Sequence, residues 1–200
     1  MASRAAHHPT RRRPGREPRR RGAAATRAAI LAAAKLEFSR RSYDQVGVRD
    51  IAARTGVNAA LVNRYFGSKP ALFAAAYGED IQLQELLRGE RTALGERLAR
   101  HVMRKRAARG GDSLSLLFRS ATSAKALPMI RKALAARFIK PLGDWLGGRD
   151  AQQRAALITA YLLGLATLSV VLRNPALRQS SADAIVRRVA PVLQRYVDQD

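Results

Sequence analysis

The chain has 200 residues, enough for a small recognition unit plus one helical domain or for a single larger bundle, and too few for several independent domains. Its 37 Lys and Arg against 15 Asp and Glu leave a formal net charge of +22, a field that draws in polyanions and makes nucleic acid the leading partner. With no cysteine, disulfides, thiolate zinc sites and iron–sulfur ligation are excluded, and a 47% hydrophobic content rich in alanine and leucine favours helices, so the expected fold class is all-α.

Residues 1–22 carry seven arginines between Arg11 and Arg21, with Pro9, Pro14 and Pro18 among them and no periodic apolar positions, which predicts a disordered basic arm. Such an arm serves solubility alone or touches phosphates and the minor groove beside a main reading head. From Thr26 the pattern turns helical: Ile30, Ala34 and Phe38 recur every four residues with Leu31 alongside, up to a break at Arg40-Arg41-Ser42. Val48, Ile51 and Ala52 mark a second, short helix closed by Gly56, and Asn58 is placed to cap a third that runs to about Tyr65. Ser68 can cap a fourth, with Pro70 in its first turn where the missing amide costs nothing. Further helical blocks are expected at about 69–88, 92–109, 113–125, 128–146, 151–173 and 182–198. The breaks between them fall at Gly110-Gly111, Leu127-Pro128, Gly147-Gly148 and Asn174-Pro175.

Two short helices joined by a glycine-containing turn, the second free to enter a major groove, are the elements of a helix-turn-helix. The run Val48-Arg49-Asp50-Ile51-Ala52, then Gly56-Val57-Asn58, then Tyr65-Phe66-Gly67-Ser68-Lys69 closely resembles the signature of the TetR family of bacterial transcriptional regulators. After the basic arm at 1–22, the resemblance implies a three-helix DNA-binding domain at 23–68 and a helical regulatory domain at 69–200. Within the last, it implies a ligand pocket inside about 80–165 and a dimer interface at about 151–198. Ile51, Ala52, Val57, Val62 and Phe66 are apolar at spacings that pack the two short helices together and onto Ile30 and Phe38.

By the same resemblance, Arg49 reaches a base edge, where arginine suits a bidentate contact to guanine. Ala59, Ala60, Leu61 and Asn63 lie at the reading end of the third helix and offer little hydrogen bonding beyond Asn63, although alanine and leucine can touch a thymine methyl. Tyr65 and Lys69 match phosphate-contacting positions, and Asn58 can bind phosphate while capping. Two positions depart from the family pattern. Ser42 replaces a usual glycine, which predicts some backbone strain, and Gly47 replaces a Ser or Thr cap, which predicts a weaker start to the second helix.

Residues 155–172 are uncharged and apolar on more than one face, as expected of a helix buried both by its own domain and by a second copy. Thr159, Tyr161, Thr167 and Ser169 dilute the stretch, and its length is marginal for a membrane span, so no membrane is expected and the cytoplasm is the expected compartment. The last helix carries Ile185, Val189, Val192, Leu193 and Tyr196 at helical spacing, with a bend expected at Pro191. Leu157, Ala160, Gly164, Leu168, Val189, Leu193 and Tyr196 form the expected homodimer surface. Leu117, Phe118, Phe138, Trp145 and Tyr161 are candidates to line an effector pocket.

From His101 to Leu146 there are ten Lys or Arg and two acids, so a neutral or anionic apolar small molecule is the expected effector. His7 and His8 make a poor metal site, and no metal or cofactor is expected. No phosphate-binding loop, metal-ligand set or nucleophile motif points to an enzyme. The expected partners are double-stranded DNA, a second copy of the chain and an unidentified small molecule; the alternative is a sequence-indifferent, architectural nucleic-acid binder.

Overall fold

The computed structural model describes residues 17–78, 83–107 and 113–199. Arg11, Arg12, Arg13 and Arg16 of the expected arm, His7, His8 and the Gly110-Gly111 break lie outside the described residues. The described residues form helices and turns, with no strand among them. In order these are α1 Glu17–Arg40, α2 Val48–Thr55, α3 Ala59–Phe66, α4 Lys69–Gly78, α5 Leu83–Leu86, α6 Leu94–Ala107 and α7 Ser113–Ser120. They continue with α8 Ala126–Leu134, α9 Lys140–Leu146, α10 Ala151–Ala166, α11 Pro175–Gln179 and α12 Ala182–Asp198. π-helical turns at Ala135–Ile139 and Thr167–Val171 join α8 to α9 and extend α10.

The helices follow the sequence pattern with three differences. α1 starts at Glu17, inside the stretch assigned to the arm. Alanine and arginine are among the better helix formers, an acid suits a helix start, and Pro18 fits the first turn. α8 starts at Ala126, so Leu127-Pro128 is not a break. Pro128 sits in the first turn, where its missing amide has no intrahelical acceptor to lose, and Ser123 Oγ caps the helix by accepting from the Ala126 amide at 3.1 Å. Asn174-Pro175 does interrupt the chain, but Asn174 also caps a new short helix, its Oδ1 accepting from the Ala176 amide at 3.0 Å. α12 is continuous through Pro191.

Two cores result. The first gathers Ile30, Phe38, Tyr43, Ile51, Val62, Leu72 and Phe73 with Leu116 of α7 and Ala126 and Ile130 of α8. At its centre Phe73 meets Phe38 and Tyr43 edge-on, both with ring centroids 5.0 Å apart. The second gathers Leu94, Leu98, Leu142, Ile158, Leu162, Ile185 and Leu193 from α6, α9, α10 and α12. α6 and α12 approach so closely at Gly95 that a Cβ there would lie 2.5 Å from the Ala190 carbonyl and 2.8 Å from the Gln194 nitrogen.

Arginines tie off the ends of this second core. Arg91 donates to the Leu146 and Val197 carbonyls, each at 2.8 Å, with its guanidinium 5.1 Å from the Trp145 ring centroid. Buried Arg154 donates to the carbonyls of Gly147, Tyr196 and Gln199. Cations placed on the C-terminal carbonyls of α9 and α12 satisfy orphan acceptors and oppose the helix dipoles. By length and composition alone the segment Ala151–Val171 could cross a membrane, but one side of it, Ala155, Ile158, Leu162 and Ala166, is buried in this core.

Candidate nucleic-acid interface

Local chemistry fixes the turn between α2 and α3. α2 ends on Gly56 at φ 68°, a left-handed conformation that suits glycine. Asn58 then caps α3, its Oδ1 accepting from the Leu61 amide at 2.7 Å. Ile51, Ala52 and Val62 are buried between the helices, and Val57, Ala59, Tyr65 and Phe66 pack against the same core. Arg27 of α1 lies 4.8 Å from the Phe66 ring centroid and pins the end of α3.

What remains outward is a small polar surface. Arg49, Asn58, Ala60, Asn63 and Arg64 are exposed, while Ala59, Leu61, Tyr65 and Lys69 are half-buried. The structure therefore brings Arg49, Asn58, Ala60 and Asn63 to one exposed head, with Ala59 and Tyr65 contributing part of their surface to the core beneath. The Lys69 ammonium sits 4.2 Å from the Tyr43 ring centroid, and burial lowers its affinity for the proton below the ordinary lysine range.

The start of α2 is held by residues the motif does not announce. The expected weakness at Gly47 is made good by Asp50, whose Oδ2 accepts from the Gly47 amide at 2.8 Å; that bond, first among several causes, keeps the Asp50 carboxyl below its ordinary range. Ser42 shows no strain, since φ −64° and ψ 160° are ordinary extended backbone, and its amide donates to Gln45 Oε1 at 3.2 Å. Buried Glu37 of α1 accepts from Arg41 at 2.5 Å and from Arg54 of α2 at 2.6 Å, and Arg41 also reaches Asp50 at 3.2 Å. The hydrogen bond from Arg41, then the bond and charge of Arg54, outweigh burial and hold Glu37 below its usual value. This four-residue network fixes α2, and with it Arg49, against α1. An acid beside the apolar stripe of α1 with an arginine four residues on is the sequence signal for it.

The regulatory candidates divide. Leu157, Tyr161, Leu168 and Leu172 are 42%, 40%, 44% and 64% exposed, the first two on α10, Leu168 in the π-helical turn that extends it and Leu172 just past that turn. Of these, Tyr161 and Leu168 border, with Ala160 and Gly164, an apolar groove of about 450 Å³ that Val189 of α12 also lines. Leu193 and Val189 are buried within the chain's own second core, and Tyr196 packs partly against the same core. The five effector-pocket candidates are not brought together. Leu117 packs on the head core, Phe138 and Trp145 on the second core, and Phe118 and Tyr161 are exposed. Leu117 and Phe118 are adjacent on a helix, about 100° apart around its axis, so one packs while the other faces out. Tyr161, 40% exposed, lines the groove between α10 and α12.

Comparison with known proteins gives consistent matches. The family model of bacterial regulatory proteins of the tetR family matches residues 30–76, and that of the tetracyclin repressor-like C-terminal domain matches residues 93–197. A search among curated proteins finds no match. A TetR-family regulator from Streptomyces coelicolor A3 is similar in structure, with 28% identity, a TM-score of 0.59, and coverage of 95% of this chain and 100% of its own. NalD, the secondary repressor of the MexAB-OprM multidrug efflux pump in Pseudomonas aeruginosa, shares 20% identity at a TM-score of 0.66, over 88% of this chain and 96% of its own. The fatty acid degradation regulator FadR from Bacillus halodurans shares 17% identity at 0.63, over 84% and 97%.

Proposed function

The chain belongs to the TetR family of bacterial transcriptional regulators, and we propose that it acts as an effector-responsive repressor that binds a palindromic operator as a homodimer. The observation that carries this reading is the pairing of an exposed Arg49 and Asn63 with inner sides of α2 and α3 that are held in the core by Ile51, Ala52 and Val62. That arrangement presents a few hydrogen-bonding side chains on a rigid support, which is what base-edge reading requires. Arg49 reads, Asn63 and Ala60 support it, and Asn58, Tyr65 and Lys69 position the head on phosphates.

One head of this size binds modestly, and two heads set about one helical turn apart read a two-fold symmetric site. The outer face of α10 is the surface we assign to the second copy. Burying Leu157, Tyr161, Leu168 and Leu172 against their symmetry mates removes exposed apolar area that a monomer leaves in water. The effector is a small neutral or anionic apolar molecule, in keeping with the basic excess between residues 101 and 146. Selection of bound sequences from a random duplex pool, followed by competition with a scrambled duplex at fixed salt, tests the reading. A palindromic site preferred by about a hundredfold or more supports it; equal affinity for both duplexes would leave the architectural alternative.

A further inference from the structure

The turn from α7 to α8 lies on the same part of the molecule as Lys69, and three contacts place it there. Ser120 Oγ accepts the Tyr43 amide proton at 3.1 Å, and Arg119 Nε donates to the Ser39 carbonyl at 2.7 Å, so the end of α7 is fixed to the chain as it leaves α1. Ser123 caps α8, and Ala126, the first residue of that helix, is fully buried in the head core. Lys69 rests on the ring of the same Tyr43 whose amide Ser120 holds.

Lys125, between the Ser123 cap and buried Ala126, is exposed. Its charge is close enough to act on Lys69, adding to the effect of burial on that ammonium. Two acids also face Lys69, Asp44 and Asp50, but Asp50 is already held by the Gly47 amide and by Arg41. Two lysines that are remote in sequence therefore share one edge of the head. Like charges gathered at an exposed edge repel each other in the free protein, and an anion between or beside them relieves that repulsion.

Resting on the reading of this chain as a DNA-binding regulator, we propose that the α7–α8 turn belongs to the DNA-contacting surface, with Lys125 adding a backbone-phosphate contact beside that of Lys69. The contact positions the protein without reading sequence. It also means that part of the regulatory half holds the duplex directly, so a displacement of α8 withdraws a contact from DNA as well as tilting the head.

The test uses the full-length chain and two fluorescent duplexes, one carrying the selected site and one scrambled, titrated between 50 and 200 mM salt in roughly the range where phosphate contacts dominate. Lys125→Ala is expected to weaken binding about tenfold on both duplexes and to lower the slope of log affinity against log salt by about 2 per dimer. Lys125→Glu weakens binding further, and Lys140→Ala, a lysine of α9 paired with Asp144, leaves the slope unchanged. Wild-type affinity and slope in both Lys125 variants, or an equal loss of slope in Lys140→Ala, overturns the proposal. A wild-type protein that shows no preference between the duplexes instead overturns the regulator reading and is visible before any variant is made.

Discussion

The two cores differ in how completely a single chain finishes them. Around the head, the large apolar side chains Ile30, Phe38, Ile51, Leu72 and Phe73 are fully enclosed, and what α2 and α3 turn to water is arginine, asparagine, aspartate and alanine. The regulatory part instead leaves Leu157, Tyr161, Leu168 and Leu172 exposed along α10 and the turn that extends it. The head is apolar-complete on its own; the open helix face is the one proposed to meet a second copy. The contrast teaches that the head's shape is set within one chain, whereas in the proposed homodimer its spacing from a second head would be set by the part whose burial is incomplete.

The largest effect should come from breaking the open side of that contrast. Leu168→Glu introduces a charge into the proposed contact between copies and is expected to shift a micromolar sample from dimer to monomer in sedimentation, with operator affinity falling by about a hundredfold or more. The variant should still fold, since the position is 44% exposed in the protomer. A dimer that persists would move the interface elsewhere.

Next in size is the closed packing of the regulatory core. Gly95→Ala places a methyl 2.5 Å from the Ala190 carbonyl and 2.8 Å from the Gln194 nitrogen, both backbone atoms that cannot rotate away. The expected cost is about 1–3 kcal/mol, read as a fall in thermal midpoint of several degrees. An unchanged midpoint would mean that α6 and α12 part easily.

The head should respond through its ion pairs. Glu37→Gln keeps the shape but removes the charge shared by Arg41 and Arg54, and is expected to cost about 1–2 kcal/mol, since both arginines are partly exposed and regain water. Because the Glu37 carboxyl is held below its unfolded value, its contribution is complete above the ordinary glutamate range and is lost as pH falls through the lowered folded value. Wild-type stability measured from pH 6 to pH 3 should therefore fall more steeply than that of Glu37→Gln. Parallel curves would show that the network is ornamental to α2.

Much of the head could be read from residue type and spacing because its determinants are local. Gly56 ends a helix, Asn58 begins the next, and the apolar positions recur with the helical period. The residues that hold it in place were less legible, because they act across long stretches of chain. Ser120 is 77 positions from the Tyr43 amide it accepts, and Arg119 is 80 from the Ser39 carbonyl it bonds. No periodicity announces such partners. The regulatory half was legible as helices but not as a pocket: Phe118, Trp145 and Tyr161 are aromatic residues on helices, and three-dimensional packing alone decides which of them turns inward.

The central claim is that a rigid head reads bases through Arg49. The most direct measurement is the affinity ratio between selected and scrambled duplexes for wild type, Arg49→Ala and Lys69→Ala at one salt concentration. Each lost bidentate base contact is worth about 1–3 kcal/mol of discrimination, so Arg49→Ala should lower the ratio at least tenfold, whereas Lys69→Ala should weaken both duplexes alike and leave the ratio intact. An Arg49→Ala protein that binds both duplexes more weakly by the same factor would contradict the account.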